Sequence, residues 1–394
     1  MKTRRFSIFV IASCLFVSLG AFQMPAGSAG SRVVAHRLNI GTLNQLKGDL
    51  SSVACSSTGE CQVVGAYAVP NPKHSIMAVL RTRDGGATWV QEALPQRSGE
   101  LNDVTCVFAS TCWTVGSTGG FTIPRIFRTT DGGARWSLQA VGLRGEPMAV
   151  SCGSTNICVA GGVLSKPKAT RDLAPLVTHD AGHVWTASNS AAWMAGTNGV
   201  SCPSSLVCEV VGSWVSSMSS SETVGRSDNG GRSWIEQRPD VRAFNTSLNS
   251  ISCSSTLVCE AVGAESGCSY LPNCPPSLNV PAGGLALHSS DGGAHWIRQG
   301  LPKTVRLLQH VWCASSMDCQ AVGLSSTRHA VAVRTTDGGS TWSLGRMPSQ
   351  VGFLSSVSCQ NKTKCIAVGF SGESWPHLTI KVIRTTDGGV SWTS

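Results

Sequence analysis

The 394-residue sequence is poor in charged residues and in helical patterns. Only 13% of its residues are Asp, Glu, Lys or Arg, and beyond about residue 25 no apolar spacing follows the period of an amphipathic helix. A helical fold is therefore not expected. The 43 glycines instead favour many short strands joined by tight turns.

Two further absences argue against whole classes of partner. After the N-terminal segment, no stretch approaches the roughly 20 consecutive apolar residues that a membrane-spanning helix needs. The net charge of +9 is spread along the chain without a run of Lys or Arg. A nucleic-acid partner is therefore not indicated, and no membrane span is expected once the leader is removed.

The first 29 residues predict a secretory signal peptide. Basic residues at positions 2, 4 and 5 precede an apolar stretch from Phe6 to Phe22, and small residues at 26–29 offer a cleavage neighbourhood. Two alternatives stay open. Residues 11–14 fit a lipoprotein cleavage box ending at Cys14, and an uncleaved leader could remain as an N-terminal anchor. We expect a secreted or envelope-associated protein.

Sixteen of the 17 cysteines form pairs separated by six positions, and only Cys14 lies outside them. In an exported chain, an even set of cysteines at fixed spacing predicts local disulfides. Metal or redox sites usually use a Cys-x-x-Cys spacing or histidine partners, so we expect neither a metal nor a cofactor. The predicted pairs are Cys55–Cys61, Cys106–Cys112, Cys152–Cys158, Cys202–Cys208, Cys253–Cys259, Cys268–Cys274, Cys313–Cys319 and Cys359–Cys365.

A second motif, called the box here, follows seven of these pairs. It has the form Ser/Thr-x-Asp-x-Gly-x-x-Trp, and its last copy ends at Trp392. An Asp or Asn oxygen can accept hydrogen bonds from turn amides, and a residue repeated seven times in turns is more readily structural than catalytic. The box positions are Asp84, Asp131, Asp180, Asn229, Asp291, Asp337 and Asp387.

The pair and the box belong to a repeat of about 50 residues that holds four short strands. In the second copy, the first strand ends at Cys106. The other three strands run over residues 112–116, 126–130 and 136–139. Seven such units predict an all-β fold, a seven-bladed β-propeller of four-stranded antiparallel blades over residues 49–394. Residues 30–48 form an N-terminal segment, whose strand-like part, residues 32–40, is expected to lie along blade seven and help close the ring.

Each unit also places a glycine four residues after its second cysteine, as at Gly116. Glycine inside a strand weakens the strand, so its recurrence predicts a β-bulge or the close approach of another group. The box Trp is the neighbour that we expect over this gap.

The box resembles the Asp-box, or bacterial neuraminidase repeat, and its copies cover nearly the whole mature chain. The resemblance implies the propeller fold found in sialidases and other glycosidases, in sortilin-type receptors, and in the photosystem II assembly and stability factors of chloroplasts and cyanobacteria. The Thr-Thr-Asp-Gly-Gly-x-x-Trp copies are most similar to the last group and its uncharacterised bacterial relatives. The motif is evidence of fold and leaves function open.

Binding is expected on the rim opposite the cysteine pairs and boxes, because variable loops on a rigid frame usually carry function. The loop 264–284 contains its own cysteine pair around Tyr270, and could be a contact site or a rigid insertion. Trp214 and Trp375 lie near variable segments and could stack on sugars, anchor a partner or be buried between blades. A polar set at the start of the inner strands could line a ligand pocket or a water-filled channel: Asn102, Asp103, Asn198, Asn249, Gln309 and His310.

Catalysis is not favoured. A sialidase would show a Phe/Tyr-Arg-Ile-Pro motif, whereas residues 122–125 are a scrambled version, and neither Tyr67 nor Tyr270 has an evident Glu partner. Outside the boxes, Asp103 is the one carboxylate that looks suited to a site near the axis. The sequence therefore predicts a monomeric, non-catalytic scaffold that binds a protein or a glycan. The alternative is a sialidase-like glycoside hydrolase.

Overall fold

The computed structural model describes residues 37–68, 75–118, 120, 122–165, 174–189, 196–215, 220–239, 245–266 and 281–394. The strands form seven antiparallel sheets in chain order, and the inner strand of each sheet contacts the inner strands of its neighbours, including the first and the last. This is a seven-bladed β-propeller, as predicted. The predicted signal peptide lies outside the described residues.

Most blades have four strands, running from the inside outward in sequence order. Blade one is preceded by β1 (Arg37–Asn39) and α1 (Ile40–Leu43) and contains β2 (Gly48–Cys55), β3 (Cys61–Tyr67), β4 (Ile76–Thr82) and β5 (Thr88–Gln91). Blade two contains β6 (Glu100–Phe108), β7 (Thr111–Thr118), β8 (Ile123–Thr129) and β9 (Ser137–Leu138). Blade three contains β10 (Arg144–Cys152), β11 (Cys158–Ser165), β12 (Leu176–Thr178) and β13 (Thr186–Ala187).

The later blades follow the same plan. Blade four contains β14 (Thr197–Ser201), β15 (Cys208–Val215), β16 (Ser220–Ser227) and β17 (Ile235–Gln237). Blade five contains β18 (Asn245–Cys253), β19 (Cys259–Ser266), β20 (Gly283–Ser289) and β21 (Ile297–Arg298). Blade six contains β22 (Val305–Cys313), β23 (Cys319–Ser325), β24 (Ala330–Thr335) and β25 (Ser343–Leu344), and blade seven contains β26 (Phe353–Cys359), β27 (Cys365–Ser371) and β28 (Thr379–Thr385).

The outer edge of blade seven is the irregular part of the ring. Its fourth strand is reduced to a bridge between Arg384 and Thr393. Strand β1, in the described part of the predicted closing segment, pairs with β5 of blade one, so the predicted place along blade seven is wrong for these residues. Residues 32–36 of that segment lie outside the described residues. Residues 44–48 instead run beside β28, where the Val382 amide donates to Asn44 Oδ1 at 2.7 Å and Asn44 Nδ2 donates to Val382 O at 3.1 Å. The link between blades one and seven is therefore made by residues 44–48, which follow the predicted segment 32–40.

Seven of the eight predicted disulfides are present, each across the hairpin between the first two strands of a blade. Their Cα atoms lie 3.9–4.1 Å apart. The eighth pair, Cys268–Cys274, lies outside the described residues. Disulfides of this kind are typical of an oxidising compartment.

The recurring glycine lies opposite a β-bulge in the inner strand, as at Gly263, where the register shifts between Leu248 and Ser250. A Cβ on Gly263 would overlap the Ser247 carbonyl oxygen and lie 3.0 Å from Leu248 Cα. The prediction of a bulge and a close approach is confirmed. The predicted neighbour was wrong, because strand backbone and not the box Trp fills this space.

The box closes its own turn with side-chain hydrogen bonds. In blade six, Asp337 Oδ1 accepts bonds from the Thr341 amide at 2.9 Å and from Thr335 Oγ1 at 2.7 Å. In blade four, Asn229 Oδ1 accepts the two equivalent bonds, at 3.0 and 2.9 Å, so the amide replaces the carboxylate. In blade three, Ala181 occupies the first glycine position with φ of 64°. The box turn is therefore retained with Asn229 in blade four and with Ala181 in blade three.

The described part of the chain contains one four-residue helix, α1. Among those residues no helix combines the length and apolar character that crossing a bilayer requires.

Candidate functional site

The cysteine hairpins and the boxes share one rim, called the hairpin rim here. In every blade, an amide of the box donates to a carbonyl of the hairpin in the same blade, which joins the two turns. The pairs are Gly85 to Gly59, Gly132 to Ser110, Ala181 to Asn156, Gly230 to Leu206, Gly292 to Leu257, Gly338 to Met317 and Gly388 to Thr363. The opposite rim, called the loop rim, carries the connections between the second and third strands and between blades.

Each box also rests on the preceding blade. Gln62 Nε2 of blade one donates to the Gly132 carbonyl of blade two at 2.9 Å, and Gln320 Nε2 of blade six donates to the Gly388 carbonyl of blade seven at 2.7 Å. At the junction of blades seven and one, Ile366 occupies the same position and lies beside Gly86. The boxes are thus contacts between blades.

Three of the predicted channel residues are bulged residues that bond to the next blade. Asn102 Nδ2 donates to Pro147 O at 2.9 Å. Asn198 and Asn249 make the same bond to the residue before the next bulge, at 3.0 Å in each case. Gln309 occupies the corresponding place in blade six and is half-buried, and its side chain forms no hydrogen bond within the described residues.

Asp103 has both carboxylate oxygens occupied. Its Oδ1 accepts bonds from Ser52 Oγ at 2.6 Å and from the Val104 amide at 2.9 Å, and its Oδ2 accepts a bond from the Val150 amide at 2.7 Å. These donors come from blades one, two and three. Burial raises the pKa of Asp103 to about 6, although the three hydrogen bonds act in the opposite direction.

His310 likewise forms a hydrogen bond between two blades, here blades six and seven. Its Nδ1 accepts a bond from the Val357 amide at 3.4 Å, and burial lowers the pKa of the imidazole to about 4. Ser250 and Ser356 accept equivalent bonds from the amides of Val311 and Val53, both at 3.3 Å. Asp103 and His310 therefore lie in a ring of links between blades, and both residues are committed to the frame.

Two of the three predicted aromatic contact residues have a described backbone. Trp214 is in β15, opposite Ser221 in β16. Trp375 lies half-buried in the connection between β27 and β28, on the loop rim. Tyr270 and its loop lie outside the described residues.

The structure adds three carboxylates that sequence reasoning missed, called the acidic row here. Asp49, Glu100 and Glu146 occupy the same position, two residues before the bulge, in blades one, two and three. Glu100 Oε1 accepts a bond from Ser75 Oγ at 3.1 Å, and Glu146 Oε1 accepts one from Asn102 Nδ2 at 2.9 Å. They stand where the inner strands leave the loop rim.

The three carboxyl groups influence one another. Burial, reinforced by the charge of Glu100, raises the pKa of Asp49 to about 7. Burial also raises the pKa of Glu100 and of Glu146, and Glu146 is raised further by the charge of Glu100. No group of three His, Cys, Asp or Glu residues in the described part of the chain is placed to hold a metal ion. The three carboxyl groups of the row therefore hold their protons to higher pH than solvent-exposed carboxyl groups do.

The acidic row has a simple sequence signal. Aligning the seven copies on their cysteines puts these acids in one column, in copies one to three. The other four copies have no acid there: Gly196, Ser247, Leu307 and Phe353.

No protein-family model matches this chain, and no curated protein matches it. Solved propellers are similar in fold. YCF48 bound to D1 peptide is 16% identical with a TM-score of 0.56, and the match covers 89% of this chain and 96% of that chain. YCF48 from Cyanidioschyzon merolae is 17% identical with a TM-score of 0.54, covering 89% and 98%.

The GH74 xyloglucanase from Xanthomonas campestris is 12% identical with a TM-score of 0.50, and the match covers 88% of this chain and 60% of that one. At identities this low, these similarities establish the fold alone.

Proposed function

We propose that this protein is an exported, non-catalytic Asp-box β-propeller that binds a protein segment or a glycan on its loop rim and acts as an assembly scaffold. The observation that carries the proposal is the set of hydrogen bonds that the Asp103 carboxylate accepts. The carboxylate that looked best suited to catalysis has both oxygens occupied by donors from three blades. A group held in this way serves the frame and is poorly placed to exchange protons with a substrate.

Three features support the binding role. YCF48, which shares the fold, was solved with a D1 peptide bound, so a propeller of this design can hold a peptide. The loop rim combines the acidic row with half-buried Trp375 and variable connections. The seven disulfides and the predicted signal peptide favour an extracytoplasmic location, where the scaffold would act as a monomer.

The test is binding to arrays of peptides and glycans by the mature chain, with a Glu100→Gln/Glu146→Gln variant. If the acidic row takes part, the variant loses affinity for cationic peptides by about tenfold, the effect of one charge-assisted hydrogen bond. Glu236→Gln is the matched control, because Glu236 lies on the outer strand β17 and pairs with Arg238. Equal loss in both variants, or no selective binding on either array, would refute the loop-rim assignment.

A glycoside hydrolase is the second candidate, and one observation favours it. Burial and the charge of Glu100 raise the pKa of Asp49 to about 7, and glycosidases pair one carboxyl group of raised pKa, the acid, with a second carboxylate. A hydrolase function predicts turnover of a polysaccharide such as xyloglucan, or of a sialoside. The Asp49→Asn variant should lose this turnover. A substrate panel without hydrolysis removes this candidate and leaves the binding role standing.

A further inference from the structure

A cleft on the hairpin rim separates blade seven from blade one. Its volume is about 290 Å³, and it is walled by the two hairpins, by the box of blade one and by the end of β28. The side chains that matter here are those of Thr58, Arg83, Gln360, Lys364 and Arg384. The cleft lies on the opposite rim from the binding surface proposed above, so it is independent of that function.

Three permanent positive charges line this small space. Lys364 is exposed and Arg384 half-buried, and neither forms an ion pair with any residue that the structure describes. Arg83 Nε lies 3.0 Å from Glu60 Oε1. Asp84 also lines the cleft, but its oxygens accept bonds from the Thr88 amide and hydroxyl and from the Thr82 hydroxyl within its own turn.

The other six junctions serve as an internal comparison. At each junction, three positions correspond to Lys364, Arg384 and Arg83. The first two belong to one blade, and are the residue before the second hairpin cysteine and the residue before the box Ser or Thr. The third is the residue before the box Asp or Asn of the next blade. No other junction has more than one Arg or Lys at these positions. In order, the six sets are Glu60, Arg81, Thr130; Thr111, Arg128, His179; Ile157, Val177, Asp228; Val207, Arg226, Ser290; Val258, His288, Thr336; and Asp318, Arg334, Thr386.

Four of these junctions contain one arginine, and in three of the four it has a partner. Arg81 Nε lies 2.6 Å from Glu92, and Arg226 bonds to Glu209 at 3.0 Å. The Arg128 guanidinium lies over the Trp113 ring, 5.3 Å from its centroid. The junction of blades seven and one differs in having three cations, of which Lys364 and Arg384 form no ion pair within the described residues. This is a local departure from a repeated pattern, and the architecture of the ring does not require it.

We propose that this cleft binds a tetrahedral oxyanion, phosphate or sulfate, either as the free ion or as a group on a polymer. Arginine presents a planar fork of donors that matches such an anion, and lysine adds a compact charge. Gln360 and Thr58 add an amide and a hydroxyl to the lining, and the Thr58 hydroxyl also lies 2.8 Å from Ser56 Oγ. The donors around the cleft come from three chain segments and therefore approach from several directions. A tetrahedral anion has oxygens pointing in several directions, whereas a carboxylate has two oxygens in one plane.

The experiment is calorimetric titration of the mature, oxidised chain with inorganic phosphate and with sulfate at low ionic strength, followed by polyphosphate. Arg384→Gln and Lys364→Gln should each weaken binding by about tenfold, the effect of one charge-assisted hydrogen bond. Arg334→Gln is the matched control, since Arg334 holds the same position in blade six without the other two cations. It should change affinity by less than about twofold, because Arg334 does not line the cleft. Lys364 is exposed, so its variant tests the site even if Arg384→Gln fails to fold.

Added salt should weaken binding, because solvent ions screen exposed charges. Tighter binding of polyphosphate per site than of the free ion would identify a polymer-borne group, and equal affinity would identify the free ion. The proposal is overturned if the wild type binds neither ion more tightly than about 10 mM, or if Arg334→Gln loses as much affinity as Arg384→Gln.

Discussion

Replacing Gly263 by alanine should damage the scaffold more than a single added methyl group ordinarily would. Gly263 lies opposite the bulge of blade five, where its new Cβ would overlap the Ser247 carbonyl oxygen and lie 2.8 Å from the Ser247 carbonyl carbon and 3.0 Å from Leu248 Cα. These are backbone atoms of a paired strand, so no side-chain rotation can relieve the clash. The bulge itself must move, and with it Asn249, which bonds to Leu308 of blade six at 3.0 Å.

Overpacking typically costs about 1–3 kcal/mol, and a rigid backbone neighbour places this case near the upper end. Weakening the Asn249 bond adds about 1 kcal/mol, for a total loss of roughly 3–4 kcal/mol. For a domain of this size, the midpoint of thermal unfolding should fall by roughly 4–6 °C.

The assay is thermal and urea unfolding of the oxidised chain, followed by circular dichroism. Gly142→Ala is the control, because a Cβ there meets no atom within 4 Å, and it should change stability by less than about 0.5 kcal/mol. If both variants unfold together with the wild type, the close-approach explanation of the recurring glycine fails.

Three other predictions follow from the same frame. Replacing Cys253 and Cys259 by serine should cost about 2 kcal/mol in urea unfolding, because the disulfide closes a short loop; no loss would contradict this. Asp131→Ala should cost about 1 kcal/mol or less, and Asp131→Asn almost nothing, since Asn229 makes the same bonds in blade four; equal losses would refute the comparison. The lowered pKa of His310 means that the unfolded chain binds more protons between about pH 4 and 6.5. His310 by itself makes stability rise with pH in this range, whereas Asp49 and Asp103, whose pKa values are raised, act in the opposite direction. His310→Gln should therefore remove only the rising contribution, seen as a difference from the wild type in pH-dependent urea unfolding; identical pH profiles would refute it.

Blade number, strand order and disulfide pairing could be predicted because all of them are local. A hairpin disulfide joins residues six apart, and a box turn is stabilised by neighbours within four residues. Repetition of local patterns at about 50 residues is enough to predict a propeller.

The chemistry between blades could not be predicted in the same way. Asn102 and Asp103 have polar side chains at the start of an inner strand, which fits a ligand site as well as a structural link. Their partners lie 45 and 47 residues further along, at Pro147 and Val150, and only the packing of the ring brings them together. For the same reason β1 was assigned to the wrong blade, because strand character does not identify the edge on which a strand pairs.

The spacing of the cysteines bears on how such a chain can mature. Each described disulfide is contained in a single hairpin of seven residues, so it can form as soon as that hairpin reaches an oxidising compartment. No cysteine of these hairpins must wait for a partner from a later blade. Reduction of one of these bonds leaves the other described disulfides in place, so the loss of cross-linking is confined to the blade in which it occurs.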